Sequence, residues 1–320
     1  MITPHRLEEI LQRATSRRIA VIGDLMLDEF VWGKVGRISP EAPVPVVEVT
    51  RETSYPGGAA NVARNLREFV ARTFVIGLVG ADRGGRKLHE LLEKCEIATA
   101  DIIEDAAFQT IVKTRIIARQ QQVVRVDREE IRPPTAEQVA RVTESMKRQL
   151  EDFDAVIFED YGKGFLSADL VQQVSEVAYK AGKIVTVDPN PRHPLIWKNV
   201  TAVKPNRSEA FFAAGQPWTD PVSPPGRDEA LLEVGRLLLE LWDTEFLLIT
   251  LGEQGMMLFE GRGVSHIPTK ARQVFDVSGA GDTAIALFTL ALCSGASGHE
   301  AAEIANHASA VVVAKLGTAT

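Results

Sequence analysis

A run of small residues followed by an aspartate stands near the end of the chain, in the segment DVSGAGDTAIALFTLAL (276–292). Gly279, Ala280 and Gly281 allow a tight turn, and Asp282 comes directly before an apolar run. Backbone N–H groups at a helix start lack intrahelical partners and attract negative charge. The segment could therefore cradle a phosphate while the aspartate takes a proton from an attacking hydroxyl. The alternative is a capped helix after a glycine-rich turn.

A second cluster, YPGGAANVARN (55–65), also places glycines before a predicted helix. Gly57 and Gly58 precede the helix, and Asn61 falls in its first turn. An asparagine amide both donates and accepts hydrogen bonds, which suits a polyhydroxylated ligand. A tight turn with a solvent-facing asparagine is the alternative.

Acidic residues follow several predicted strands directly. Asp24 comes after the run IAVIG, Asp160 after AVIFE and Asp188 after IVTV. In open α/β sheets, ligands bind outside the carboxyl ends of the strands. We therefore expect a ligand site at this edge of the sheet, although one or two of these acids could be simple helix caps.

The segment KPNRSEA (204–210) places Asn206 and Glu209 three residues apart, on one face of a helix. Glu209 could hold a water bound to Mg²⁺, since this ion keeps most of its waters and takes few protein ligands. A capping box fits the same spacing, and both can be true.

The segment ITLGEQGMMLF (249–259) places Gly252 and Gly255 between two predicted strands, which indicates a hairpin turn. No G-x-G-x-x-G follows a predicted strand and no G-x-x-x-x-G-K-[ST] occurs. A dinucleotide-binding fold and a P-loop are therefore disfavoured.

Short apolar runs with helical patterns between them must position these residues. Their continuous apolar character predicts strands buried on both faces, as in a parallel sheet covered by helices. One helix near 135–151 begins with a predicted capping box, Thr135 and Gln138. The alternation predicts a layered α/β fold. The predicted strands are 19–23, 74–80, 155–160, 184–188 and 246–250.

Two segments break this alternation, and we expect both to form a small extra sheet. Residues 28–55 contain three prolines and no helical period, and residues 108–129 alternate at period two. In the second segment, one predicted face carries Val112, Thr114, Ile116 and Ala118, and the other carries Lys113, Arg115, Ile117 and Arg119.

Composition narrows the class of protein. The 320 residues are 45% hydrophobic, enough for a sizeable core, and the net charge of −7 argues against general nucleic-acid binding. Cys95 and Cys293 form no metal-binding pattern, which favours a reduced compartment. The N-terminus has no signal-peptide pattern, and the longest apolar run, about 283–296, is too short to span a membrane. We expect a soluble, cytoplasmic protein.

The segments GGAANVARN and DVSGAGDTAIA resemble the two signatures of the ribokinase-like (PfkB) sugar kinases, and the likeness covers nearly the whole chain. It implies a three-layer αβα sandwich with a mostly parallel central sheet and a small β-sheet lid. It also implies one kinase domain over 1–320, with the lid formed by inserted segments at about 28–55 and 108–129.

Further segments resemble the heptose 7-phosphate kinase branch of that family: GDLMLDEFVWGKVGRISPEAPVPVVEV, PGGAANVARNL, DYGKG and VVVAKLGTAT. The implied reaction is ATP-dependent phosphorylation of the C1 hydroxyl of D-glycero-β-D-manno-heptose 7-phosphate, in lipopolysaccharide precursor synthesis, with Mg²⁺. The HxGH motif of an attached nucleotidyltransferase is absent.

Three other functions compete with that one. Another kinase of the family, acting on ribose, fructose or a hexose phosphate, is the first. A nucleotide-binding regulator without catalysis is disfavoured by the intact Asp282 and its glycine-rich turn. An NAD-dependent oxidoreductase is disfavoured because the dinucleotide fingerprint is missing.

The resemblance implies roles residue by residue. Asp282 is the base, in a backbone anion hole of Gly279, Ala280 and Gly281. The residues implied to contact the sugar are Asp24, Gly57, Gly58, Asn61 and Asp160. Those implied to border the nucleotide are Asn206, Thr250, Gly252, Gly255 and Asn306, with Glu209 near Mg²⁺. Ser278 stands where many relatives have threonine, and DPNPRHP (188–194) departs from the branch, so a role for Asn190 is in doubt.

A sugar phosphate brings a dianion that needs cationic partners. Lys113, Arg115 and Arg119 lie on one predicted face of the lid, and our hypothesis is that at least one of them binds the 7-phosphate. A solvated lid edge is the alternative. The lid strands could also pair across a two-fold axis, as this family often does, so we expect a homodimer.

Overall fold

The fold is taken from a computed structural model, which describes residues 2–70, 72–119, 121–270 and 277–315. The helices in these ranges are α1 (Pro4–Ala14), α2 (Ala59–Arg67), α3 (Arg83–Lys94), α4 (Ala136–Arg148), α5 (Ala168–Lys180), α6 (Arg207–Ala213), α7 (Glu229–Trp242), α8 (Ala280–Cys293) and α9 (Gly298–Val312). The strands are β1 (Arg18–Gly23), β2 (Leu25–Ile38), β3 (Pro45–Gly58), β4 (Arg72–Ile76), β5 (Leu78–Gly80), β6 (Ile103–Asp105), β7 (Ile111–Ala118), β8 (Gln121–Arg128), β9 (Ala155–Glu159), β10 (Ile184–Asp188), β11 (Ala202–Val203), β12 (Phe246–Thr250), β13 (Met256–Glu260) and β14 (Gly263–Ile267).

The central sheet has eight strands in the order β14-β13-β12-β11-β10-β9-β1-β4. Neighbours from β4 to β12 pair in parallel, and the β12–β13–β14 edge is antiparallel. One apolar cluster packs α2, α8 and α9 on one face, and a second packs α4, α5 and α7 on the other. The predicted three-layer α/β sandwich is confirmed. In the described ranges, no helix is both long and apolar enough to cross a bilayer.

The run 74–80 was expected to be one strand, and this is wrong. It forms β4 in the central sheet and β5, which pairs with β6 in a separate two-stranded sheet. Gly77 separates them, and a Cβ there would collide with the Leu25 side chain and the Gly23 carbonyl oxygen. The break follows from packing against β2, which the apolar run itself does not report.

The extra sheet is confirmed, but its first segment is longer than expected, at 25–58, and its second is shorter, at 111–128. Its order is β3-β2-β7-β8, with β2 and β7 parallel and the outer pairs antiparallel. Asp24 alone separates β1 from β2, and β3 continues to Gly58, directly before α2. We call this sheet the lid. Strands β2 and β3 are therefore continuous with the core: Asp24 connects β1 to β2, and β3 leads into α2, which carries Asn61.

The carboxyl ends of the parallel strands place the acidic residues at one edge, as the sequence predicts. Strands β1, β9 and β10 are in register there, so that Gly23 lies opposite Glu159, and Glu159 opposite Asp188. Helices α2 and α8 begin at the same edge and pack against each other. This edge holds the candidate site.

Candidate active site

Asp282 lies in the first turn of α8 and is 5% exposed. The Asn61 side-chain amide donates to its Oδ2 at 2.6 Å, and the Tyr161 hydroxyl donates to its Oδ1 at 2.8 Å. Burial raises the pKa of Asp282, while the two hydrogen bonds oppose the rise. The carboxylate is thus fixed in one orientation and made more basic than a solvated aspartate, as a general base requires.

The turn before α8 depends on Gly279. Its φ of +80° is left-handed, and a Cβ there would lie 3.1 Å from the Asn61 amide nitrogen. No side chain caps the helix, which leaves its first-turn N–H groups to other partners. The Ala280 N–H donates to the Val277 carbonyl at 3.2 Å. Gly281 faces the acids, because a Cβ on it would lie 3.7 Å from Asp188 Oδ2. Asp276, the start of the motif, lies outside the described residues.

A buried lysine that the sequence interpretation missed lies opposite this turn. Lys204 follows β11, is 2% exposed, and pairs through Nζ with Asp188 Oδ2 at 2.8 Å. A Cβ on Gly281 would lie 3.6 Å from the same Nζ. Burial opposes the charge of Lys204, yet Asp188 raises its pKa above the ordinary value. The signal was available, since Lys204 directly precedes the Pro-Asn of KPNRSEA.

A cavity of about 420 Å³ opens between these groups. Burial raises the pKa of Asp188 to about 7 and of Asp160 to about 6, and it raises that of Glu159 well above the usual range. The cavity is a cluster of acids around one lysine. Its polar lining residues are Glu159, Asp160, Tyr161, Asp188, Asn190, Lys204, Asn206, Glu209, Thr250 and Asp282, with Gly252, Gly279 and Gly281.

Asp24 is held in a structural arrangement. Its Oδ2 accepts the backbone N–H groups of Tyr161 and Lys163 at 3.0 and 2.9 Å, and its Oδ1 accepts that of Phe165 at 3.1 Å. The residue is 2% exposed, and burial raises its pKa against the effect of these bonds. Asp24 therefore anchors the loop that carries Tyr161 through these three backbone hydrogen bonds. A contact with a sugar hydroxyl stays a prediction.

The glycines before α2 allow two close approaches. Gly58 has φ of +58°, and the next residue, Ala59, donates its N–H to the Asp24 carbonyl at 3.1 Å. A Cβ on Gly57 would overlap the Asp28 carboxylate. These contacts hold Asn61, in the first turn of α2, against Asp282.

The residues predicted to border the nucleotide agree with several local predictions of structure. Asn206 and Glu209 form the capping box: Asn206 N–H donates to Glu209 Oε2 at 2.8 Å, and Glu209 N–H to Asn206 Oδ1 at 2.9 Å. Strands β12 and β13 form the expected hairpin, with Gly255 at φ +89° in its turn. Asn306 is 4% exposed and donates to the Pro268 carbonyl at 2.7 Å. Roles in nucleotide binding stay predictions.

The structure separates Lys113, Arg115 and Arg119, the three cations predicted to share one face of the lid. Lys113 Nζ lies 6.0 Å from the centroid of the ring of Tyr161, whose hydroxyl donates to Asp282. Arg115 pairs with Asp28 and lies over Phe30. Strand β7 ends at Ala118, and Arg119 is an exposed turn residue with φ of +59°. The expected shared face therefore breaks at the hairpin turn and at a register shift after Ile116.

The sequence profile of pfkB family carbohydrate kinases matches residues 16–320 of the chain. The chain belongs to this family. The family assignment agrees with the two signatures read from the sequence, and both signatures lie in elements that meet at Asp282. The chain is a sugar kinase.

Curated relatives of this kinase are longer than the chain itself. The bifunctional protein HldE of Desulfatibacillum aliphaticivorans is 42% identical over 308 residues, which cover 96% of this chain and 61% of that protein. HldE of Geobacter sulfurreducens is 41% identical over 314 residues, covering 98% and 63%. The chain therefore spans less than two thirds of the length of these relatives.

Solved structures share the fold of the kinase. Phosphofructokinase-2 from Escherichia coli, in complex with potassium, gives a TM-score of 0.75 at 18% identity and covers 95% of this chain and 94% of that one. Arabidopsis thaliana ribokinase, complexed with ribose and ATP, gives 0.68 at 18% identity and the same coverage. At these identities the likeness shows the ribokinase-like α/β fold.

The residues of the kinase fit a magnesium ion that is held mainly by phosphate and water. In the part of the chain that the structure describes, no group of three or more His, Cys, Asp or Glu side chains is arranged to hold a metal. Mg²⁺ is commonly bound through one or two carboxylates, its own waters and substrate phosphates. Glu209 lines the cavity and uses Oε2 in the helix cap, and it offers a carboxylate to such waters.

The raised pKa values predict an unusual pH dependence of stability. Asp160 and Asp188, with pKa values near 6 and 7, hold protons in the folded state that an unfolded aspartate releases near pH ~4. At pH values between the pKa of the unfolded aspartate and those of the folded groups, the folded state binds more protons than the unfolded state. The free energy of unfolding of the ligand-free kinase is therefore expected to fall as pH rises from about 5 to 7. Thermal denaturation at pH of about 5 and about 7 measures this change in stability.

Asp188→Asn is the control for this pH dependence, since it removes one of the titrating groups. We expect a smaller difference in melting temperature between the two pH values in the variant. A parent kinase that is equally stable at both, or more stable at the higher pH, contradicts the prediction.

Proposed function

We propose that the chain transfers the γ-phosphoryl group of ATP to the C1 hydroxyl of D-glycero-β-D-manno-heptose 7-phosphate, giving ADP and the 1,7-bisphosphate. One observation carries the proposal: Asp282 is held by Asn61 and Tyr161 at a cavity that Gly281 and Lys204 also line. The heptose specificity is supported by the resemblance of the lid segment and by relatives of about 40% identity that are bifunctional HldE proteins. The whole activity of those longer proteins stays a proposal for this chain.

The proposed reaction uses the geometry directly. Asp282 takes the proton of the C1 hydroxyl, whose oxygen attacks the γ-phosphorus. The bond from that phosphorus to the β–γ bridging oxygen breaks, and ADP leaves. Phosphoryl transfer depends mostly on positioning and charge stabilisation. We propose that Gly281 and the Lys204 ammonium, which line the same cavity as Asp282, stabilise the charge of the transferring group.

We propose that Asn206 and Glu209 lie near the triphosphate and its magnesium ion. Bound Mg²⁺ supplies neutralisation of phosphate charge. The residues expected to border ATP are Thr250, Gly252, Gly255 and Asn306. Thr250 and Gly252 line the same cavity as Asp282, which supports this placement.

The 7-phosphate requires a cationic end of the sugar site, and Lys113 is the best placed of the lid cations. Burial lowers the pKa of Lys113, and the nearby Lys163 ammonium lowers it further. Two ammonium groups that repel each other are stabilised by a bound dianion. Arg115 is engaged by Asp28, and Arg119 lies at the hairpin turn.

We expect Lys113→Ala to raise KM for the heptose phosphate by roughly 10- to 100-fold, the range of a charge-assisted hydrogen bond, with a smaller effect on kcat. Arg119→Ala is the matched control and should leave KM unchanged, because Arg119 is exposed and outside β7. Steady-state kinetics against sugar concentration measure both. An unchanged KM in Lys113→Ala, or an equal rise in Arg119→Ala, refutes this placement of the phosphate.

The substrate is tested by ATP turnover with Mg²⁺ over heptose 7-phosphate, ribose, fructose, fructose 6-phosphate and fructose 1-phosphate, with the product identified by phosphorus NMR. A new anomeric phosphate with the heptose alone supports the proposal. Turnover with another sugar keeps the family reaction and refutes the heptose assignment. No turnover with any sugar refutes both.

We propose a homodimer formed through the lid. Strand β8 is exposed along its whole length, and its Val123, Val124 and Val126 side chains are 38–46% exposed. An exposed apolar edge strand is a surface that proteins usually cover or pair. Sedimentation velocity should show a dimer, and Val124→Lys should weaken it. A monomer at micromolar concentration refutes the proposal.

We also propose that residues 1–320 act as one kinase domain in the cytoplasm, where ATP is available. Both cysteines are free thiols, which fits a reducing compartment. Limited proteolysis tests the domain proposal: a stable fragment lacking either signature would oppose it. Cell fractionation tests the location.

A further inference from the structure

Tyr161 connects three parts of the site that belong to different elements. It follows β9 at the carboxyl edge of the sheet, and its hydroxyl donates to Asp282 Oδ1 at 2.8 Å. Its backbone N–H donates to Asp24 Oδ2 at 3.0 Å, and its ring lies beside Lys113 of the lid. Tyr161 is thus held both by its backbone N–H and by its hydroxyl, and the hydroxyl contacts the proposed base, Asp282.

The surroundings of Asp282 explain why the base needs such a partner. Asn61 engages only Oδ2, so without a second donor Oδ1 has no fixed direction. The charged and titratable groups that act on Asp282 or its two partners are Lys204 after β11, Asp28 on the lid, Glu159 on β9 and Asp188 on β10, with Lys113 on β7. Most of them are acids, which favour protonation of Asp282 or its rotation toward Lys204.

We propose that Tyr161 is a positioning residue of the phosphoryl transfer: its hydroxyl fixes Oδ1 of Asp282, so that the carboxylate stays ionised and faces the acceptor hydroxyl of the sugar. The inference rests on the proposed role of Asp282 as base, and it does not depend on which sugar is used. Burial and the nearby Asp282 carboxylate raise the pKa of Tyr161 well above its ordinary value, so the hydroxyl remains a donor at neutral pH.

The test is Tyr161→Phe, which removes the hydroxyl and keeps the ring. Tyr179→Phe is the matched control, because Tyr179 is 62% exposed on α5. We expect kcat of Tyr161→Phe to fall roughly 10- to 100-fold, the worth of a hydrogen bond to a charged group, while KM for the sugar changes little. Tyr179→Phe should match the parent kinase.

The pH profile separates positioning from a merely structural role. The Tyr161 bond lowers the pKa of Asp282, so its loss should shift the acid limb of the kcat profile to higher pH in Tyr161→Phe alone. An unchanged acid limb with an unchanged kcat overturns the proposal. A raised KM with parent-like kcat overturns it too, because the hydroxyl would then contact the sugar.

The double variant ties the effect to the base. In an Asp282→Asn background, Tyr161→Phe should cause no further loss of kcat, and an additive loss places the action of Tyr161 elsewhere and overturns the proposal. The assay uses whichever sugar the parent kinase turns over, so a wrong heptose assignment leaves this test intact. No turnover with any sugar overturns both proposals.

Discussion

Asp282→Asn is expected to fold as the parent kinase does and to lose at least ~10²–10⁴ in kcat. The substitution is nearly isosteric, and the amide oxygen can still accept one of the two hydrogen bonds that Asn61 and Tyr161 donate. It cannot take a proton from the acceptor hydroxyl. Coupled-assay kinetics give kcat, and circular dichroism with a melting curve checks the fold.

Asp169→Asn is the matched control, because Asp169 is also an acid in the first turn of a helix but is exposed on α5. Its activity should equal that of the parent. Near-parental turnover by Asp282→Asn would refute the assignment of Asp282 as the general base. A large loss of activity in both variants would indicate that replacing any acid in the first turn of a helix impairs the kinase.

Lys204→Met is expected to lower kcat by about 10²–10³, the usual effect of removing one group that stabilises transition-state charge. Among the described residues lining the cavity, Lys204 is the one cation, and it faces the Gly281 turn. Methionine keeps the length and apolar stem of the side chain. The loss should therefore appear in kcat rather than in folding yield.

The same variant tests the buried ion pair. Without Lys204, the carboxylate of Asp188 is left buried among other acids, and removing one partner of such a pair costs roughly 3 kcal/mol or more of unfolding free energy. The cost should be smaller at pH 5.5 than at pH 8, because Asp188 can be protonated at the lower pH. Chemical denaturation at both pH values measures it.

Lys198→Met, at an exposed lysine, is the control for Lys204→Met and should change neither kcat nor stability. If Lys204→Met keeps parental kcat, the lysine only balances Asp188 and takes no part in phosphoryl transfer. If its cost in stability is equal at both pH values, Asp188 does not titrate as described.

Local patterns predicted the elements well. Continuous apolar runs identified β1, β9, β10 and β12, and the capping residues of α4 and α6 were identified by spacing alone. These features depend on residues a few positions apart, which a sequence shows directly. The period-two alternation likewise identified the lid strand β7 until the chain turned at Arg119.

Contacts between distant residues were not predictable in the same way. Tyr161 reaches Asp282 across 121 positions, and Lys204 meets Gly281 only after the sheet has formed. The break at Gly77 and the engagement of Asp24 by the backbone from Tyr161 to Phe165 are also tertiary effects. A run of residue types reports which groups are present, whereas the packed sheet decides which of them meet.

The continuity of the lid with the core has a consequence for motion. Strand β2 starts one residue after β1, β3 runs directly into α2, and the Ala59 N–H joins the two crossings through the Asp24 carbonyl. At β2 and β3 the lid is therefore joined to the core without a connecting loop, whereas β7 and β8 are joined to it by residues 106–110 and 129–135. A displacement of β2 and β3 relative to the core requires backbone rotation at Asp24 and Gly58, and Gly58 is three residues from Asn61. We therefore expect a displacement of these two strands to move Asn61, and with it the hydrogen bond that Asn61 donates to Asp282.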